Sequence, residues 1–210
     1  SDRGAEELIP QLAKLVSDNR EDVITRIHAL WSLEGLHHFD TRLMDSLTRS
    51  SDDDLRREAI RSLASFDISP SQMAGYLKDA INDPNVMVRS QALRTLADFG
   101  KANRETIDIL VNFCRQEIPG DAMGGPYERK FERFLARMAL EQYEPELVDY
   151  LDSSLSPKQP ADNRFWAIQA LSQQNHQKYF LALFDSINSK PWDTSTFIEI
   201  VNSLDNPTIK

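Results

Sequence analysis

The chain of 210 residues carries 33 acidic against 24 basic side chains, a net charge of −9, with 40% hydrophobic residues and 7 glycines. That balance speaks against sequence-independent nucleic-acid binding, which needs Lys and Arg opposite phosphates, and against attraction to an anionic membrane surface. One cysteine, Cys114, leaves no internal disulfide framework and no multi-cysteine zinc site. No apolar run approaches the roughly 18 residues of a membrane span, so membrane insertion is not expected. The opening Ser1-Asp2-Arg3-Gly4 has neither an initiator Met nor a signal peptide, so the chain reads as a mature product or an excised piece of a longer protein.

In chain order, a first apolar-periodic stretch, Leu8 to Val16, precedes Arg26-Ile27-His28-Ala29-Leu30-Trp31-Ser32-Leu33. Leu43 to Leu47 then precedes Arg56-Arg57-Glu58-Ala59-Ile60-Arg61-Ser62-Leu63, and Met73 to Ile81 precedes Arg89-Ser90-Gln91-Ala92-Leu93-Arg94-Thr95-Leu96. Ile107 to Cys114 leads to Arg133-Phe134-Leu135-Ala136-Arg137-Met138-Ala139-Leu140, and Leu147 to Leu155 to Arg164-Phe165-Trp166-Ala167-Ile168-Gln169-Ala170-Leu171. The five Arg-x-x-Ala-x-x-x-Leu segments, with an apolar residue after the Ala in all but the fourth (Arg137), follow one another at spacings of 30, 33, 44 and 31 residues. Repetition at this period signals stacked supersecondary units.

Ala and Leu four apart, with an apolar residue between, form one helix stripe. An alanine in the same slot each time implies that two helices approach closely there. Punctuation falls between the stretches. Ser69-Pro70-Ser71-Gln72 offers an N-cap, a Pro at the first helical position and a capping-box Gln. Asp83-Pro84-Asn85 separates two helices, and Gly100 closes the second. The chain thus divides into six helix-turn-helix hairpins at about 7–36, 40–66, 69–99, 103–141, 144–173 and 176–204, read as one repeat domain spanning 1–210. The sixth lacks the Arg-x-x-Ala signature around Phe197 to Leu204, as an atypical terminal repeat does.

These residues resemble HEAT repeats and the HEAT-like repeats of phycobilisome lyases, over nearly the whole chain. The resemblance implies an all-α fold, a right-handed α-solenoid. It also implies a ladder of contacts between the recurrent Arg26, Arg56, Arg89, Arg133 and Arg164 and turn acids at Asp22, Asp52 to Asp54, Asp83 and Asp162. Residues Arg26 to Leu36 are further similar to the HEAT segment of large exported bacterial proteins, where it sits between a β-propeller dehydrogenase-like domain and a c-type cytochrome domain. That likeness tilts localisation toward export and leaves the compartment open. No Cys-x-x-Cys-His haem attachment is present.

On a wheel of 100° per residue with Ala29 at zero, Trp31 falls near 200°, Ile24 near 220° and His28 near 260°, away from the core. The equivalent slots elsewhere are Asp54, Glu58 and Arg61; Met87, Gln91 and Arg94; Phe131, Leu135 and Met138; Asp162, Trp166 and Gln169. Such slots are normally polar. Ile24, His28, Trp31, Met87, Phe131, Leu135, Met138 and Trp166 therefore form a candidate partner-binding track, weighed against burial by phase drift, with Trp as the natural anchor. The loop Pro119 to Pro126 and the stretched turn Ser156 to Pro160 are two further surface features; long loops on a scaffold carry function, and tolerated insertions look the same.

No catalytic residue, cofactor or metal site is assigned. His37-His38-Phe39-Asp40 is a poor ligand set, and no His-Glu pairs of a di-iron hydroxylase occur among His28, His37, His38 and His176. Cys114 sits on an apolar stripe with Ile107, Leu110 and Val111, which makes it a core residue. The expected function is a protein-protein interaction scaffold or an interdomain spacer, not an enzyme. Its partner is a protein or a neighbouring domain of the same chain, with no small-molecule substrate. The alternatives are the non-catalytic HEAT segment of an exported bacterial redox protein and a phycobilin lyase-like enzyme.

Overall fold

A computed structural model describes residues 7–115, 124–154, 156–187 and 198. The first residues of the chain, the loop residues Pro119 to Met123 and most of the sixth hairpin's second helix (Phe197 to Leu204) lie outside the described residues. The described residues are helical throughout, without a strand. Two compact units divide the chain, Ser1–Thr106 and Ile107–Lys210.

In unit one the helices pair as α1 (Ile9–Ser17) with α2 (Val23–Gly35), α3 (Thr41–Leu47) with α4 (Asp53–Ser62), and α5 (Pro70–Leu77) with α6 (Val86–Asp98). Side-chain caps start them. Asp22, Asp40 and Asp52 each accept the backbone N–H three residues on, satisfying donors that the first turn leaves orphaned. Ser69 and Gln72 close a reciprocal capping box around Pro70. Asn85 caps α6, and Gly100, at φ 68°, turns the chain away after it. After α2 the residue in left-handed conformation is His37, at φ 53°; its N–H reaches the Glu34 carbonyl and that of His38 the Leu33 carbonyl. The tandem histidines are thus part of a helix exit.

The alanine slot does what its repetition implies. Ala29, Ala59 and Ala92 are buried, as are Leu33, Leu63 and Leu96 four residues on. α4 packs against α2 on one side and α6 on the other. The buried Thr95 hydroxyl donates to the Ile60 carbonyl of α4 (3.1 Å), so the α4–α6 contact is polar-stitched as well as apolar.

Unit two holds α7 (Arg104–Phe113, its body from Ile107), α8 (Gly125–Glu141), α9 (Glu144–Leu151), α10 (Ala161–Ile168) and α11 (Gln173–Ile187). Ala136, Ala167, Leu140 and Leu171 are again buried. Cys114 is fully buried, and burial pushes its thiol up to about 12, the behaviour of a core side chain. Inside α8, Arg129 and Glu132 form an ion pair at 2.7 Å with both side chains out of water. The start of α11 is tied to α9 by Glu144, whose carboxylate accepts from Ser172 Oγ and N and from Asn175 Nδ2; the Ser172 hydroxyl and then Asn175 hold it below the usual carboxylate range.

Candidate functional site

The recurrent arginine has a local role that precedes any ladder. Arg26 Nε donates to the Val16 carbonyl (2.7 Å), Arg56 Nη1 to that of Ser50 (2.5 Å), Arg89 Nη1 to that of Asp83 (2.7 Å) and Arg133 Nε to that of Arg115 (3.2 Å). Each acceptor lies at or just beyond the end of the preceding A helix or, for Asp83, of the 3-10 turn Ala80–Asn82 that follows it, where carbonyls have no intrahelical partner. A guanidinium there satisfies them and meets the negative end of the helix dipole.

The ladder expected from the resemblance includes a bidentate rung in unit one. Arg56 Nε and Nη2 grip the Asp83 carboxylate of the next hairpin at 2.6 and 3.0 Å, and both side chains are buried. Arg56 also reaches Asp53, whose other oxygen accepts from Asn85 Nδ2 (2.7 Å). The Asp83 contact raises the Arg56 pKa, and burial only partly opposes it. The other turn acids take other work: Asp22 and Asp52 cap their own helices, and Asp54 pairs with Arg57 in the next turn (3.0 Å).

On the outward face of unit one, Ile24, His28, Trp31 and Met87 are all exposed, with Ile24 at 62%, Met87 at 50% and Trp31 at 45%. Trp31 is nonetheless held. Its Nε1 donates to Glu58 Oε2 across to α4 (3.1 Å), the His28 ring lies 5.3 Å from it, and the Arg61 guanidinium sits 5.9 Å over its face. Arg61 bonds Glu58 at 2.8 Å and forks onto Glu34, which also accepts from the Ser65 hydroxyl (2.6 Å). Burial would raise the Glu58 pKa, but the bonds from Arg61 and Trp31 outweigh it and leave it lowered. The charged slots of α4 therefore brace α2 and fix the orientation of its indole.

The outward residues of unit two divide. Met138 is 46% exposed, whereas Phe131, Leu135 and Trp166 are half-buried. Trp166 lies under the Arg133 guanidinium, 4.4 Å from its ring centroid, a cation–π contact that fixes the indole beside α8. The wheel missed Phe134, which is 49% exposed although the same register in α2 holds the buried Ile27. α8 turns a different edge to the helices around it than α2 does to its own neighbours, which the sequence period alone does not encode.

Among the described residues no group of three His, Cys, Asp or Glu side chains is placed to hold a metal ion, and no described helix is long and apolar enough to cross a membrane.

Residues 41–121 match the HEAT repeats family. The matched segment holds hairpins two and three and the A helix of hairpin four, and it supports a HEAT-like repeat protein. With the all-helical architecture, the match places the fold in the α-solenoid class. No curated protein matches the chain. HEAT repeats commonly mediate protein–protein interaction.

Proposed function

We propose that the chain is a non-catalytic interaction scaffold whose outward B-helix face in unit one docks a segment of another protein, or of a neighbouring domain in a longer parent chain. The observation that carries this reading is Trp31. A large, amphipathic side chain stands 45% exposed, flanked by the exposed Ile24 and oriented by bonds to the next hairpin. An aromatic side chain held rigid before binding loses little entropy on contact, which is the property of an interface anchor. The network of Glu34, Glu58 and Arg61 beside it supplies a polar rim. Met87, on α6 beyond α4, gives a second apolar foothold.

Peptides selected from a random display library on the full chain test the reading. Ile24→Asp and Met87→Asp are expected to weaken the selected peptides at least about tenfold, since each removes a desolvated apolar contact and inserts a charge. Peptides that bind as tightly to both variants as to the native chain contradict it.

A further inference from the structure

Arg164 breaks the pattern of the other four recurrent arginines. Its turn is lengthened by Ser156 to Pro160, with a 3-10 turn over Ser156–Lys158, and among the described residues its buried Nε has no hydrogen-bond partner. The side chain opens instead onto a cavity of about 120 Å³ within unit two. It is lined by Arg164, the buried Ser156 and Tyr179, by Leu151, Ile168 and Leu183, and by the exposed Ala182. The nearby carboxylates have other partners. Asp108 accepts from Tyr150 (2.5 Å) and Gln159 (3.0 Å), and Asp152 accepts from Tyr179 (2.9 Å) with Lys178 at 3.9 Å. Burial lowers the Arg164 pKa, with the neighbouring Tyr150 acting in the opposite direction. A guanidinium held this way, one N–H orphaned, gains from any anion that reaches it.

We propose that this cavity binds a carboxylate carrying a short aliphatic tail, its oxygens on Arg164 and the Ser156 hydroxyl and its tail against Leu151, Ile168 and Leu183. Size selects the tail: a cavity of about 120 Å³ admits a short chain, a carboxylate of roughly three to five carbons. The planar guanidinium selects the head, because it offers two parallel donors to two carboxylate oxygens. Either a free short-chain carboxylate or the carboxylate end of a polypeptide presents this chemistry.

The full chain is titrated with butyrate, and separately with an amidated-blocked and a free-carboxylate form of one short peptide ending in Val, against sodium chloride at equal ionic strength, following the Arg Nε–Hε NMR signals. A saturable shift of the Arg164 signal is expected with butyrate, with the free-carboxylate peptide, or with both; the arm that responds names the source. Arg164→Gln should weaken binding at least about tenfold, the loss of a charge-assisted bond. Ala182→Phe, which puts a large ring into the cavity from an exposed lining position and leaves the arginine in place, should do the same, and it serves where Arg164→Gln fails to fold. Absence of saturation in both arms, or equal binding by native chain and Ala182→Phe, overturns the proposal.

Discussion

In unit one the recurrent arginines close on the turn that precedes them, and Arg56 adds a bidentate carboxylate from the next hairpin. In unit two Arg133 keeps the carbonyl but lies over Trp166, and Arg164 faces a cavity. The helices that carry these arginines have the same Ala and Leu buried in the same slots. What differs is the turn. Asp83-Pro84-Asn85 brings a carboxylate and a carbonyl within reach, whereas the 3-10 turn at Ser156–Lys158 carries the backbone differently past Arg164. The repeat signature therefore specifies helix and core, and the path of the turn, not its length, decides whether its arginine is a structural clasp or an open cation.

Substitutions can sharpen or break this contrast. The largest effect belongs to the buried pair of α8. Arg129→Leu should destabilise by about 3–5 kcal/mol, because it removes one half of an ion pair held out of water, and adding Glu132→Leu should restore much of the loss. Urea denaturation of the three variants reads this directly. Next comes the arginine itself. Arg56→Ala should cost about 2–3 kcal/mol through its charged hydrogen bonds, and Arg164→Ala less than about 1 kcal/mol. Equal losses in the same unfolding assay would remove the distinction between clasp and open cation. Ala92→Leu should cost about 1–3 kcal/mol, since two or more extra carbons must enter a fully buried contact, while the exposed Arg94→Ala stays within about 0.5 kcal/mol.

The smallest effects are those of pH, and they too separate the units. Burial holds the His176 imidazole below its ordinary 6.5, so the unfolded chain takes up a proton that the folded chain refuses. Its contribution is complete above pH 6.5 and is lost as the pH falls below that value. Glu58 is held below its ordinary 4.5, so its contribution is complete above pH 4.5 and is lost only in stronger acid. Melting temperature followed against pH should lose the onset near 6.5 in His176→Phe and flatten below 4.5 in Glu58→Gln.

Much of this was legible from spacing. The five buried alanines, the capping box at Ser69, the turn at Asp83 and the outward placement of Ile24, Trp31 and Met87 all follow from helical period and cap chemistry. Four things were not. Arg26 and Arg89 bond backbone carbonyls, which leave no mark in a side-chain pattern. The charged slots Glu58 and Arg61 brace Trp31 and Glu34 instead of standing free, because residues 27 apart become neighbours only once hairpins stack. Phe134 is exposed because α8 turns a different edge to its neighbours, and Arg164 is open because an orphaned donor shows only when the turn's path is known.

The account rests most on Trp31 being an anchor and not a core residue, and one substitution with two readouts decides it. Trp31→Ala should weaken a peptide selected on the full chain by about 2 kcal/mol or more. The same variant should lose no more than about 2 kcal/mol of folding stability, the worth of its hydrogen bond to Glu58 together with the Arg61 and His28 contacts. A loss of about 3 kcal/mol or more in stability with unchanged peptide affinity would make Trp31 part of the packing, and would contradict the proposed binding face.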